Sequence, residues 1–133
     1  MSDTFTRHQH AQGRWLALVI GGVWLYQGLV PKILMLDATE QALVGALGVT
    51  GSWQPALVYL AGIAEMVWGL IFVFGYQQRT IVLLNGLALV LLIALVAVAA
   101  PVYLTTAFNA LTFNVAMLAL NAQVWMLLHH KLY

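Results

Sequence analysis

Four apolar runs, each long enough to cross a bilayer as a helix, constrain this chain more than any other feature. They cover about 15–34, 55–74, 80–100 and 112–128. Pro55 can occupy the first turn of the second run without costing a hydrogen bond, and Pro101 stops the third. Little charge is left for a water-facing surface. Only 7% of the 133 residues are charged, against roughly 25% in a soluble domain. Five basic and four acidic side chains can cover the ends of a bundle whose flanks meet lipid, and no more. The expected fold is all-α: an integral membrane four-helix bundle in contact with membrane lipid, forming a single transmembrane domain over residues 1–133.

The first apolar run follows Arg7 and Arg14, but it is longer than the core of a cleavable signal and no small-x-small site follows it. It reads as a retained span. Residues 35–54 contain Asp37, Glu40 and Trp53, and the groups Leu34-Met35-Leu36 and Ala42-Leu43-Val44 make the stretch amphipathic, which predicts a short interfacial helix. Residues 75–79 are a tight polar turn, and residues 101–111 an interfacial segment. Four crossings place both termini and the 75–79 turn on one side, with Arg7, Arg14, Arg79 and Lys131; the other side holds only Lys32. The positive-inside rule then predicts cytoplasmic termini. Trp15, Trp53, Tyr76, Tyr103, Trp125 and Tyr133 fall near span ends, as an interfacial aromatic belt would.

Glu65 is the residue that asks for an explanation. It lies near the centre of the second span, where a carboxylate costs at least ~2.5–3.5 kcal/mol. Gly62 lies three residues before it and Gly69 four after, so all three share an arc of about 60°. Glycines on a membrane helix mark close helix contact, so Glu65 is expected to face the bundle interior. The first span repeats the spacing with Gly21, Trp24 and Gly28, and Lys32 continues that face. Helical side chains lean toward their own N-terminus. In two antiparallel spans this leans Lys32 deeper and Glu65 shallower, so the two converge across a depth difference of about 10 Å. A ligand or proton site and a register-fixing ion pair both fit this arrangement.

Other polar groups are fewer. Asn114, Met117 and Asn121 share one face of the fourth span, with Asn85 and Asn109 near span ends. Amides inside a bundle ordinarily tie helices together; Asn109 and Asn114 lie in the half toward which Glu65 leans and join it as candidates. Gln27 adds a polar group near Lys32, and Trp24 is a packing or stacking surface. There is no cysteine, which excludes thiol catalysis and cysteine-held clusters within the chain. His8, His10, His129 and His130 all lie outside the spans, so no metal site and no intrinsic cofactor is expected from them. A net charge of +1 with no basic run gives no nucleic-acid footprint.

The stretches Trp24-Leu-Tyr-Gln-Gly-Leu-Val-Pro-Lys32, Leu60-Ala-Gly-Ile-Ala-Glu65 with Gly69, and Ala107-Phe-Asn-Ala-Leu-Thr-Phe-Asn114 after Pro101 together resemble the DoxX-like family of small bacterial membrane proteins. Members often carry a His-Pro-x-Glu sequence after the first span; here Leu36-Asp-Ala-Thr-Glu40 keeps the glutamate without the histidine. The resemblance implies a four-helix bundle in the bacterial inner membrane. It also implies association with membrane redox complexes, since the family name derives from a subunit of a thiosulfate:quinone oxidoreductase. The combined expectation is an accessory or subunit of a quinone-linked membrane system. Its interior pocket, between the first two spans and the fourth, would use Lys32, Glu65, Trp24, Gln27, Asn109 and Asn114. Gly21, Gly28, Gly62 and Gly69 would pack the helices. The rival readings are a scaffold protein, oligomeric through its glycine faces, and a small-solute or proton transporter acting as an oligomer.

Overall fold

The computed structural model describes residues 2–129, with side chains described from Arg7 onward; Lys131, His130 and Tyr133 of the expectations above lie outside these residues. Helix α1 (Ser2–Gln27) continues directly into a π-helical segment (Gly28–Leu34). A short helix α2 (Ala38–Ala46) follows, then α3 (Trp53–Gly75) and α4 (Arg79–Ala99). A 3-10 turn (Pro101–Leu104) leads to α5 (Ala110–His129). Among the described residues, four helices are long and apolar enough to span a membrane: Arg7–Leu34, Trp53–Gly75, Arg79–Ala99 and Ala110–His129. Large apolar side chains such as Leu60, Phe74, Leu83, Leu91 and Val98 point outward, as lipid contact requires. Helix α1 begins well before residue 15, because hydropathy marks where the bilayer starts and not where the hydrogen-bonded helix does.

Pro31 explains the π-helical segment. A proline inside a helix has no N–H to donate and its ring presses on the carbonyl four residues back, here Gln27. Widening the turn relieves that contact, and Met35 N donates to Val30 O at 2.9 Å across the larger ring. The chain then turns sharply at Leu36, whose φ of 44° is left-handed. Asp37 caps α2 by accepting from Thr39 N at 2.8 Å, and Gln41 Nε2 donates to Leu36 O at 2.9 Å. Together these fold α2 back over the end of the bundle, where it packs on α3 and also touches α4.

Two antiparallel helices, α1 and α3, form the closest seam. A Cβ added to Gly62 would lie 2.7 Å from Gly28 O, and one added to Gly69 would lie 2.7 Å from Gly21 O. The reciprocal contacts hold as well: Gly21 faces Gly69 and Gly28 faces Gly62. Only glycine lets two backbones approach this far. All four glycines are therefore spent inside one chain. They pack helix on helix, so the rival scaffold reading, in which the glycine faces join copies, finds these faces already covered.

Around the bundle the helices follow the order α3, α1, α5, α4. Helices α3 and α4 are sequence neighbours yet pack little on each other. They meet at their shared turn, where Gly75 lies against Ile81, and diverge toward the α2 end. The cross-section is a horseshoe with its gap between α3 and α4. Tyr76 departs from the aromatic-belt expectation: it is buried against Gly13, while Trp15 and Trp53 are exposed.

Candidate functional site

Three arrangements adjoin one another along the bundle: a hub on the side of its middle nearer the 75–79 turn, and a triad and a groove on the side nearer α2. The first is a polar hub that takes one residue from each spanning helix. The indole nitrogens of Trp24 (α1) and Trp68 (α3) both donate to Asn85 Oδ1 (α4), each at 2.9 Å. Asn85 Nδ2 donates to Asn121 Oδ1 (α5) at 3.0 Å, and Asn121 Nδ2 donates to Val82 O at 3.1 Å. Chemistry fixes the direction of every bond. An indole N–H can only donate, so Asn85 must turn its oxygen to the tryptophans and its amine to Asn121. Asn121 must then offer oxygen and direct its own amine at a backbone carbonyl. Asn85 is fully buried, so each unmade bond here would be expensive.

The second is a charged triad. Lys32 Nζ donates to Glu40 Oε1 at 2.9 Å and lies 3.1 Å from Glu65 Oε2. The lysine side chain is 10% exposed, Glu65 16% and Glu40 24%. The expected convergence of Lys32 and Glu65 closes to direct contact, in a chain whose π-helical turn redirects Lys32. Glu40 completes the group because the Leu36 turn brings the first turn of α2 back over Lys32. One ammonium thus faces two carboxylates. The approach of Lys32 to Glu65 is close but out of line for a hydrogen bond, and the enclosed Glu65 Oε2 accepts none. The second oxygen, Oε1, is not among the enclosed unpartnered atoms, and no hydrogen bond reaches it among the described residues.

The third is the gap itself, a groove of about 780 Å³ that opens sideways. Trp24 forms its back, Ala61, Ala64, Glu65 and Trp68 one wall, and α4 residues from Ala88 to Val98 the other. The alanines and the divergence of α3 from α4 leave the space. The volume falls in the range of small-molecule sites, roughly 300–1,000 Å³. Glu65 belongs to both triad and groove: on α3 it stands at the border between the glycine face and the alanine–tryptophan face.

The groove is not where the sequence reading put a pocket. It lies between the first, second and third spans, and α5 contributes nothing to its lining. Asn109 stays at the start of α5, where its Oδ1 accepts from Thr112 N and its Nδ2 donates to Thr106 O, both at 2.9 Å. It is a helix cap. Asn114 is buried on α5 but joins neither triad nor groove. Gln27 is half-buried and hydrogen-bonds neither Lys32 nor Glu65. Lys32 reaches the site only through Glu65. Asn85 was legible as a helix tie, but not as the acceptor for two tryptophans. The signal was present: it is the one amide in the apolar run of α4, and the two tryptophans away from span ends, Trp24 and Trp68, need an acceptor for their indole N–H groups.

A family model described as the DoxX-like family matches residues 21–122. The chain belongs to the DoxX-like family. The matched stretch of this DoxX-like protein begins at Gly21 and ends just beyond Asn121, so it contains the hub, the triad and the groove in full. No curated protein and no solved structure matches the chain.

Proposed function

We propose that this DoxX-like protein is an accessory subunit of a quinone-linked redox system in the bacterial inner membrane, and that it holds a small lipid-soluble ligand in the α3–α4 groove. One observation carries the reading: a groove of small-molecule size, open toward lipid, whose only ionisable lining residue among those described is Glu65. An intramembrane carboxylate is expensive, so one kept at the edge of an open groove has a use there. The redox setting and a membrane oxidoreductase as partner come from the family resemblance; the ligand comes from the groove. Lys32, itself fixed by its bond to Glu40, holds the Glu65 carboxylate from behind. Solvent extraction of the purified protein, followed by mass spectrometry, tests the reading. A quinone-type lipid is expected with the wild type and is lost from Ala88→Trp, which fills the groove. Recovery of ordinary phospholipid alone from both overturns it.

Cytoplasmic termini belong to the same proposal. Lys32 is buried against two carboxylates, so the exposed cations of the described residues, Arg7, Arg14 and Arg79, lie at the other end of the bundle. Because the chain has no cysteine, single cysteines at Gln78 and Thr50 report orientation directly. An impermeant maleimide applied to whole cells should label only the second.

The scaffold reading has one observation in its favour: Lys32 already finds both its partners within the chain. It predicts that Glu65→Gln lowers expression or assembly and changes no ligand content.

A further inference from the structure

The groove has an unusual shortage of hydrogen-bond donors. Both tryptophans that line it carry an N–H, and both N–H groups are spent on Asn85. Asn85 and Asn121 spend their own amines within the hub. Lys32, the nearest cation, does not line the groove and is turned to Glu40 and Glu65. The other lining residues are alanine, leucine and valine. What remains open is a single acceptor, the Glu65 carboxylate, held beside one ammonium that it shares with a second carboxylate. A carbonyl oxygen brought against it would meet only lone pairs. A hydroxyl would make a charge-assisted hydrogen bond, in a setting where such bonds are strong.

We infer that the groove selects the reduced form of its ligand: a hydroquinone- or phenol-type hydroxyl on an apolar body, with the hydroxyl donating to Glu65 Oε1 and the ring lying along Trp24 and Trp68. This rests on the reading of the groove as a ligand site and adds the chemistry of the head group. The protein then binds quinol in preference to quinone, and needs no donor of its own to do so. The two carboxylates around one lysine serve this purpose, because they leave Glu65 with bonding capacity that Lys32 alone does not satisfy.

Calorimetry on the full chain in nanodiscs, under anaerobic conditions and against empty nanodiscs, separates the possibilities. The probes share one decyl-substituted ring and differ at the head: decylhydroquinone, decylbenzoquinone, the dimethyl ether of the hydroquinone, and decylbenzene bearing a trimethylammonium group. Hydrogen bonds to a charged group are worth about 1.5–3 kcal/mol, which corresponds to a preference of about tenfold or more. Decylhydroquinone is expected to bind at least about tenfold tighter than the quinone and the ether, and Glu65→Gln, whose amide both donates and accepts, is expected to remove the preference. Equal binding of quinone and hydroquinone overturns the head-group inference and leaves the groove as a ligand site. Tighter binding of the ammonium probe also overturns it, in favour of charge recognition. Binding of none of the four overturns the ligand reading as well. If Glu65→Gln does not fold, the comparison among probes on the wild type decides alone, with Ala88→Trp as the control expected to lose every probe.

Discussion

Helix α3 has two faces that treat their neighbours in opposite ways. On one, Gly62 and Gly69 bring α3 against the backbone of α1. On the other, Ala61, Ala64 and Trp68 look across a groove at α4. Small residues are present on both, so size alone does not decide whether helices close. The α1–α3 seam closes because the glycines are reciprocal, each carbonyl sitting where the other helix lacks a Cβ. The α3–α4 side stays open because Trp24 and Trp68 are anchored on Asn85 and hold α3 and α4 at the hub's spacing. The comparison separates a face built for cohesion from one built around a space, with Glu65 on the boundary.

The largest effects should come from the cohesive face. Gly62→Val puts a branched side chain where a Cβ already falls 2.7 Å from Gly28 O, a backbone atom that cannot step aside. The cost should reach about 3 kcal/mol or more. Size-exclusion profiles of the detergent-solubilised protein should show loss of the monodisperse species, and a wild-type profile would mean the seam is looser than its geometry. Next comes the triad. Lys32→Met leaves two carboxylates facing each other, and breaking a buried pair costs about 3 kcal/mol. The double variant Lys32→Met with Glu65→Gln should recover part of that loss in thermal unfolding. Additive losses would show that the two residues do not act as a pair.

Asn85→Leu should follow, at about 2 kcal/mol, because it strands two indole N–H groups and frees the tryptophans that shape the groove. Unlike Gly62→Val, it should also change tryptophan fluorescence. The groove face itself should be tolerant. Ala64→Leu should alter the melting temperature little, within about 0.5 kcal/mol, yet abolish ligand retention. A strong destabilisation would instead make this face a packing surface. Asn109→Ala has the smallest consequence for the groove: it removes the cap of α5, should cost about 1 kcal/mol or less in thermal unfolding, and should leave ligand retention unchanged.

How far the sequence reached depended on the distance over which each property is set. Gly21, Gly28, Gly62 and Gly69 could be marked as packing residues from their repeated spacing, while the pairing of Gly21 with Gly69 and Gly28 with Gly62 came from the register of the two helices. The meeting of Lys32 and Glu65 followed from the direction in which helical side chains lean. Glu40 could not be placed as their partner, since its position depends on a π-helical turn forced by Pro31 and a left-handed Leu36, neither of which has a periodic signature. Asn109 and Asn114 were grouped with Glu65 by depth alone. Depth says nothing about which helices are neighbours around the bundle, and α5 stands on the far side of α1 from α3.

By itself the sequence determined that the chain spans the membrane four times, that its spans are helices, and that one carboxylate must be sheltered among them. Those outcomes follow from hydropathy, backbone hydrogen bonding in lipid and the cost of an intramembrane charge, all of which act within a single segment. Only the tertiary structure decided that α3 and α4 part instead of packing, that Asn85 takes both tryptophans, and that Glu65 opens to the resulting groove. These depend on which helices stand side by side, and that is settled by contacts between residues far apart in the chain.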